Sequence, residues 1–325
     1  MNKSTFNILV SGVGAVIGQG VIKSLKIASK GSKQFNIVGL DKNPDSAGRS
    51  WCDNFFHKPE VSEDSIKYLN FWKDLLVKES IDLVIPGIEE DVFFLSENRK
   101  VLSKMSILQL NSNQIVNLCK DKWKTYQFLK STDVEVIPTL KLENTWYSVR
   151  KYLGDLPFLI KPRRGNGSRG IHIIDKKKDF IYWKSKLRSN SMIIQKYIQG
   201  VEFTVSSFGF DEDFLKPFIF RRKLNNTGST QWAQIEENSD IDVTIKKIFE
   251  KINFQGPTNF QFILDCSKLF LLEINPRISS STSMRAQFGY NESLYCVDHY
   301  LKKKKIEVSC LKKGKVVRFY EDQVI

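Results

Sequence analysis

Residues 258–277, TNFQFILDCSKLFLLEINPR, constrain the fold more than any other stretch of the chain. Two runs of alternating apolar and polar residues flank a short polar break, the pattern of an antiparallel hairpin with one face in a core. A three-residue turn of Cys266, Ser267 and Lys268 sets Asp265 opposite Leu269 and brings Gln261 opposite Glu273. Period-two alternation then places Gln261, Glu273 and Asn275 on one face, and Phe260, Phe262, Phe270, Leu272 and Ile274 on the opposite, buried face. Two amide oxygens and a carboxylate on one face form a hard-oxygen set of the kind that Mg²⁺, or Mn²⁺ in its place, accepts beside substrate phosphates. Arg277, just past Pro276, is placed to stabilise charge developing on a transferred phosphoryl group. Taken singly, each of these residues is also an ordinary strand terminus, so the weight lies in their convergence.

The rest of the chain divides by pattern. Residues 6–40 read as strand, glycine turn, helix and strand, followed by the amphipathic helix KYLNFWKDLLVKE and the buried strand IDLVIPGI. This is a doubly wound, parallel-sheet α/β domain over residues 1–115. After the helix DKWKTYQFLKST, strands dominate: LPFLIKP, GIHIID, MIIQKYI, EFTVSSFGF, KPFIFRRK and the hairpin above, with helices near 179–188 and 240–252. That is an α+β region of antiparallel hairpins. Its divisions are expected at 116–190, 191–300 and a tail at 301–325, whose strand-like KVVRFYED either closes a sheet or mediates a homodimer.

Composition bounds the class. Of 325 residues, 41% are hydrophobic and 12% aromatic, enough to bury large cores and to exclude bulk disorder. Apolar runs are broken well short of the ~20 residues a bilayer requires. The N-terminus shows no signal-peptide pattern, so a cytoplasmic location and no membrane partner are expected. Five scattered cysteines without a CxxC argue against disulfides or a zinc knuckle. The formal net charge of +14 favours anionic partners. His57, His172 and His299 stand in unrelated contexts and read as structural.

Two glycine clusters carry further weight. Gly12, Gly14 and Gly18 approximate a dinucleotide fingerprint with one residue too many, and Asp41 ends the next strand. This reads either as NAD binding or as a tight turn with close helix packing. Gly165, Gly167, Ser168 and Gly170 lie in a glycine-rich loop between two strands, with Lys161 before it and Arg163, Arg164 and Arg169 around it. Such a loop can fold over triphosphate oxygens as a lid of backbone N–H donors, with the lysine neutralising phosphate beneath it. No GxxxxGK[ST], HRD or DFG sequence supports a P-loop or protein-kinase alternative.

The ordered set of Lys122, Lys161 with its glycine loop, Gln195 to Glu202, Gln261 and EINPR resembles the ATP-grasp superfamily over essentially residues 6–290. The run EINPRISSS is most like the ATP-binding halves of the carbamoyl phosphate synthase large subunit and small stand-alone relatives, among them amino-acid ligases. The resemblance implies a Rossmann-like pre-ATP-grasp domain that binds no dinucleotide, followed by a two-lobed ATP-grasp domain. It implies that Lys122 and Lys161 contact ATP phosphates and that the loop from Gly165 to Gly170 is a mobile lid. By the same resemblance Gln195, Lys196 and Ile198 belong to the hinge that meets adenine, with Gln195 where relatives often carry Glu, and Glu202 holds the ribose hydroxyls. Gln261, Glu273 and Asn275 match metal ligands, and Arg277 and Lys161 are the catalytic candidates. The implied reaction couples a small carboxylate to an amine or similar nucleophile through an acyl phosphate, with ATP and Mg²⁺. The acceptor pocket is expected near Ser279 to Ser283, with Arg221, Arg222 and Gln231 to Gln234 as further lining, and Arg222 as a partner for a substrate carboxylate. That serine run lacks the basic residue of the synthase, which argues against carbonate as substrate.

Two rival readings differ in class. A non-catalytic basic protein would bind nucleotide or nucleic acid through its charge, with affinity falling steeply in salt and indifferent to Glu273. An NAD-dependent enzyme would use the first glycine turn and lose NADH binding with Gly14→Val. The ligase reading is preferred over both, and nucleic acid is not an expected partner.

Overall fold

The computed structural model describes residues 5–29, 34–165, 170–266, 268–308, 312–319 and 321–322, which build three sheets. In the first, β1 (Phe6–Ser11), β2 (Phe35–Asp41), β3 (Asn54–His57), β4 (Leu83–Pro86) and β5 (Ile107–Leu108) run parallel in the order β3-β2-β1-β4-β5. Alternate residues of β1 enter different cores, Leu9 on one face with Trp72 and Leu76, Ile8 and Val10 on the other with Val21 and Leu25. Coverage on both faces is what a parallel sheet requires. Strands β3 and β5 are too short to show a period in sequence.

The first glycine turn is a packing device. Gly12 has φ +65°, and a Cβ on Gly18 would stand 2.2 Å from the Gly12 carbonyl oxygen. Helix Val16–Ser29 therefore approaches β1 only because these positions carry no side chain. Asp41 completes the turn, its carboxylate accepting the Gly14 N–H at 2.7 Å and the Asn43 N–H at 2.9 Å. Asp41 thus has a turn-capping role that needs no dinucleotide, and the NAD reading gains no support.

The second sheet is antiparallel, with β6 (Thr139–Lys141), β7 (Phe158–Pro162), β8 (His172–Ile174) and β9 (Met192–Lys196) in the order β6-β9-β7-β8. Helices Trp146–Leu153 and Lys177–Lys186 cover it through Val149, Leu153 and Phe180. The third sheet holds β10 (Val201–Phe210), β11 (Asp213–Phe214), β12 (Phe218–Leu224), β13 (Thr230–Ile235), β14 (Gly256–Asp265), β15 (Lys268–Asn275) and β16 (Lys315–Val317). Its order is β15-β14-β10-β12-β13-β16, with β11 paired to β10. Phe203, Phe260 and Phe262 pack beneath helix Ser239–Ile252, while Phe218, Phe220 and Ala233 share a core with Ile8, Val10 and Val21 of the first domain. The large sheet and the first domain are thus fused through one apolar core, and β16 extends that sheet along β13. Among the described residues no helix is long and apolar enough to cross a membrane.

The β14–β15 hairpin departs from its expected register in an instructive way. Gln261 does face Glu273, but Asp265 pairs with Lys268 rather than facing Leu269, one step shorter than expected. Ser267 lies outside the described residues. A β-bulge opposite the Gln261/Phe262 step takes up the extra residue at Leu272. Leu271 therefore joins Phe260, Phe262 and Ile274 in the core, and Phe270 and Leu272 leave it for the other face, with Ile137 and Ile263. A turn one residue shorter and a bulge one residue longer cancel, which preserves the Gln261–Glu273 pair.

Beneath this face lies a fully buried ion pair. Arg285 Nη1 is 3.3 Å from Glu292 Oε1, with both side chains inaccessible to solvent. The guanidinium also donates to Ser279 Oγ at 2.8 Å, Asn259 Oδ1 at 2.9 Å and Thr204 Oγ1 at 3.2 Å, and Ser206 Oγ donates to Glu292 Oε1 at 2.5 Å. Glu292→Gln should strand the buried guanidinium and cost roughly 3–5 kcal/mol, while the paired change Arg285→Met with Glu292→Leu should recover part of that loss. Urea denaturation of the three proteins measures the difference.

Candidate active site

Between the antiparallel small sheet and the large sheet lies a cleft of about 240 Å³. Each side chain in it is delivered by a strand end or a helix start. Lys122 opens helix Lys122–Lys130, whose first turn is capped by Asp121 Oδ1 accepting the Trp123 N–H at 3.0 Å. Asp121 also takes a forked pair of hydrogen bonds from Arg163, at 3.1 Å from Nε and 2.7 Å from Nη2. Burial pushes the Asp121 carboxyl up, but the bonds and charge of Arg163 together with the Trp123 and Lys124 backbone N–H groups outweigh it and hold it below its ordinary value. Arg163 is thus spent on tying the helix to the end of β7 rather than on free positive charge over the lid. From this anchored start Lys122 Nζ reaches the Gly165 carbonyl at 2.6 Å and Glu273 Oε1 at 3.4 Å.

Lys161, on β7, lies across from Glu273 in the same cavity. Burial, then the adjacent Lys122 cation, push its ammonium pKa down to about 8 against the pull of Glu273. For Glu273 burial acts upward, yet Lys122, Lys161 and Arg277 together reverse it and hold the carboxyl below its ordinary value. Arg277 Nη2 donates to Asn275 Oδ1 at 3.2 Å, so Glu273, Asn275 and Arg277 continue one polar row out of β15.

The opposite wall comes from three adjacent strands. Glu202 on β10 is paired in register with Arg222 on β12, and Thr204 with Gln261 on β14. The Arg222 guanidinium, only 7% exposed, donates from Nε and Nη2 to Glu202 Oε2 at 3.2 and 3.1 Å, and from Nη2 to Gln261 Oε1 at 3.1 Å. Arg222 therefore pairs with the protein's own carboxylate instead of presenting itself to a substrate carboxylate. Arg221 points away, to Glu236 at 3.3 Å and Gln234 at 3.3 Å, and Gln231 donates to the Arg318 carbonyl at 3.0 Å. Arg221, Trp232 and Gln234, expected as lining, do not border this cavity; they line an adjoining one that shares Glu202 and Arg222 with it. Ser279 and Ser281 are also buried, their hydroxyls engaged with Arg285 and Thr230.

At the far end Gln195, Lys196 and Ile198 border the cavity, over an apolar floor of Ile137, Leu159, Ile263 and Leu272. Lys122, Lys161, Gly165, Gln195, Lys196, Ile198, Glu202, Gln261 and Glu273 therefore meet around one space. Gly165 takes φ +110° and Gly170 φ +69°, backbone that a side chain would strain, at the two ends of the loop between β7 and β8. Gly167, Ser168 and Arg169 lie outside the described residues. Sequence reasoning missed the Arg222 bridge and the floor residues. The alternation of β12 alone marks Arg222 as one of two faces, and its pairing with Glu202 depends on the turn geometry between Phe210 and Phe218. None of the three histidines borders the cleft: His57 Nε2 meets the Lys42 carbonyl, His172 stacks on Trp183, and His299 packs edge-on against Phe208.

A family model described as an ATP-grasp domain matches residues 119–281, half of the chain, and one described as a PylC-like N-terminal domain matches residues 8–110. Curated relatives include the carbamoyl phosphate synthase large chain of Clostridium botulinum, 26% identical over 299 residues in strain Kyoto and 32% over 305 in strain Loch Maree. The alignments cover 84% of this chain and 27% of each relative, so the chain spans about a quarter of their length. Among solved structures, the Staphylococcus aureus N5-carboxyaminoimidazole synthetase complexed with ADP superposes with a TM-score of 0.73 at 19% identity, covering 94% of this chain and 80% of that one. The biotin carboxylase domain of Hydrogenobacter thermophilus 2-oxoglutarate carboxylase, in complex with MgADP and bicarbonate, gives 0.74 at 16%, covering 97% and 74%. The Bacillus licheniformis L-amino acid ligase gives 0.70 at 14%, covering 93% and 75%. These likenesses establish the shared fold.

With Lys161 titrating near 8, a polyphosphate ligand should raise its affinity for a proton. Binding of MgATP at pH 8 should therefore take up protons, seen in calorimetry as an apparent enthalpy that varies with the ionisation enthalpy of the buffer. Lys161→Met should remove most of that dependence.

Proposed function

The chain belongs to the ATP-grasp family, and from that premise we propose that it is an ATP-dependent ligase that joins a small carboxylate to an amine or a similar nucleophile. The observation that carries the reading is the convergence of Lys122 and Lys161 on Glu273 inside the cleft between two sheets, with the Arg277 charge acting on the same carboxylate from beyond the cavity lining. Three cations around one carboxylate are poorly explained as a structural ion pair. They suit a site where triphosphate and a metal arrive together, the phosphates taking up the positive charge and the metal the carboxylate.

In this reading the adenine lies on the floor of Ile137, Leu159 and Leu272 beside Lys196 and Ile198, and Glu202 receives the ribose hydroxyls. Arg222 places both of its bonds to Glu202 on Oε2, which leaves Oε1 as the acceptor for a ligand. Lys122 and Lys161 hold the phosphates, and the loop from Gly165 to Gly170 closes over them. The donor set fits Mg²⁺: one carboxylate and two amide oxygens, all hard, with substrate oxygens to complete the shell. Glu273, Asn275 and Gln261 would hold the ion, Gln261 through the lone pair that Arg222 does not use. Bound there, the ion neutralises charge on the transferred group.

The chemistry asks for positioning and electrostatics rather than a nucleophilic side chain. A substrate carboxylate oxygen attacks the γ-phosphorus, the bond to the bridging oxygen breaks, and ADP leaves an acyl phosphate. Arg277 stabilises charge on the transferring oxygens. An amine then attacks the acyl carbon, the carbon–oxygen bond to phosphate breaks, and the amine gives up a proton. The proposed division is a first domain to about residue 115, a small lobe whose sheet ends at Lys196, and a large lobe extended by β16. A reducing, cytoplasmic setting belongs to the same reading, in keeping with the free thiols of Cys52, Cys119, Cys266 and Cys296.

Mg²⁺-dependent release of ADP and phosphate, assayed over pooled amino acids and other small carboxylates, tests the proposal. One pool should stimulate turnover, and Glu273→Gln should lower it by about a hundredfold or more, the scale of losing one preorganised charge contact. No stimulation by any pool, together with no ATP binding, would remove the reading.

A further inference from the structure

The hinge carries an amide where a flip would reverse its meaning. Gln195, on β9, borders the cleft and is 8% exposed, and its register partner on β6 is Thr139, 1% exposed. The Thr139 hydroxyl donates to the Ile137 carbonyl at 2.8 Å. A hydroxyl has one hydrogen to give, so toward Gln195 it can only accept. Gln195 Nε2 lies 2.8 Å from it, in donor position. The amide is thereby pinned with its NH₂ toward β6, which leaves its carbonyl oxygen as the group not bonded to that strand, on a side chain that borders the cleft.

We propose that Thr139 is a specificity-determining positioning residue: by pinning the Gln195 amide it makes the cleft select 6-amino over 6-oxo purine nucleotides. The inference rests on the nucleotide reading of the cleft. An acceptor held at the hinge meets the amino group of adenine as a hydrogen-bond donor. It meets the 6-oxo group of guanine or hypoxanthine as a second acceptor, in an enclosed space where neither oxygen is then satisfied. A carboxylate at position 195 would need no such support, since both of its oxygens accept. A glutamine needs it, because half a turn about its last torsion presents donors instead.

The test uses the full chain with Mg²⁺ and measures the affinities of ATP, GTP and ITP by calorimetry, so that no acceptor substrate is needed. Wild type should prefer ATP by at least about tenfold, the scale of one buried unsatisfied acceptor. Thr139→Val, close in size but unable to accept, should let the amide flip and reduce the ATP:GTP ratio by most of that factor. Thr139→Ser should keep the wild-type ratio, and Gln195→Glu combined with Thr139→Val should restore it, which a merely structural role for Thr139 would not produce. A folded Thr139→Val protein with the wild-type ratio, or a wild type that binds ATP and GTP alike, would overturn the inference while leaving the ligase reading intact. A wild type that binds none of the three nucleotides would overturn the nucleotide reading, and this inference with it.

Discussion

The site depends on one electrostatic balance, the Glu273 carboxylate held charged at the mouth of two sheets by Lys122, Lys161 and Arg277. Enclosure disfavours the Glu273 and Lys161 charges, and for Glu273 the neighbouring cations outweigh it. Burial opposes the Lys161 charge and Lys122 repels it, which is why its pKa falls to about 8. A site balanced in this way can exchange its internal partners for ligand charges of the same sign at little electrostatic cost, the condition for binding a polyanion and a dication in one step.

Two further ion pairs hold the balance in place without taking part in it. Asp121 fixes Arg163 and thereby fixes where helix Lys122–Lys130 begins, so that Lys122 reaches Gly165 and Glu273 from a rigid base. Arg222 bridges Glu202 and Gln261 across three neighbouring strands, presetting one carboxylate and one amide on the opposite wall. Below them, the buried Arg285–Glu292 network sets Asn259 and Ser279, and so supports the row that runs from Asn275 to Arg277. The pattern is a cleft whose ligand-facing groups are each braced by a counter-charge from a different element.

Much of this was legible in the chain. The alternation of residues 258–277 marks a hairpin, and Gln261, Glu273 and Asn275 fall on one face of it because side-chain direction in a strand is set by local backbone geometry. The glycines at 165 and 170 mark a strand-to-strand loop because only glycine takes their φ values cheaply. What misled was register. The expected three-residue turn is one residue too long, and Leu272 compensates by bulging out of the ladder to join the cleft floor while Leu271 enters the core. Local alternation cannot reveal a bulge, because the insertion is stabilised by packing on the two faces and not by the residues that bulge.

The sequence by itself determined which residues can carry charge, which strands have a buried face, and where the backbone must turn, since these follow from side-chain chemistry and φ preference over a few neighbours. The tertiary structure decided which charges meet. Arg222 reads in sequence as one of two arginines on a strand, free for a substrate, until pairing with β10 spends it on Glu202. Thr139 carries no signal until β6 pairs with β9 and sets its hydroxyl against Gln195. Both outcomes rest on long-range strand pairing, whose register is fixed by the buried apolar faces of distant segments, and interactions between distant segments leave no local trace in the chain.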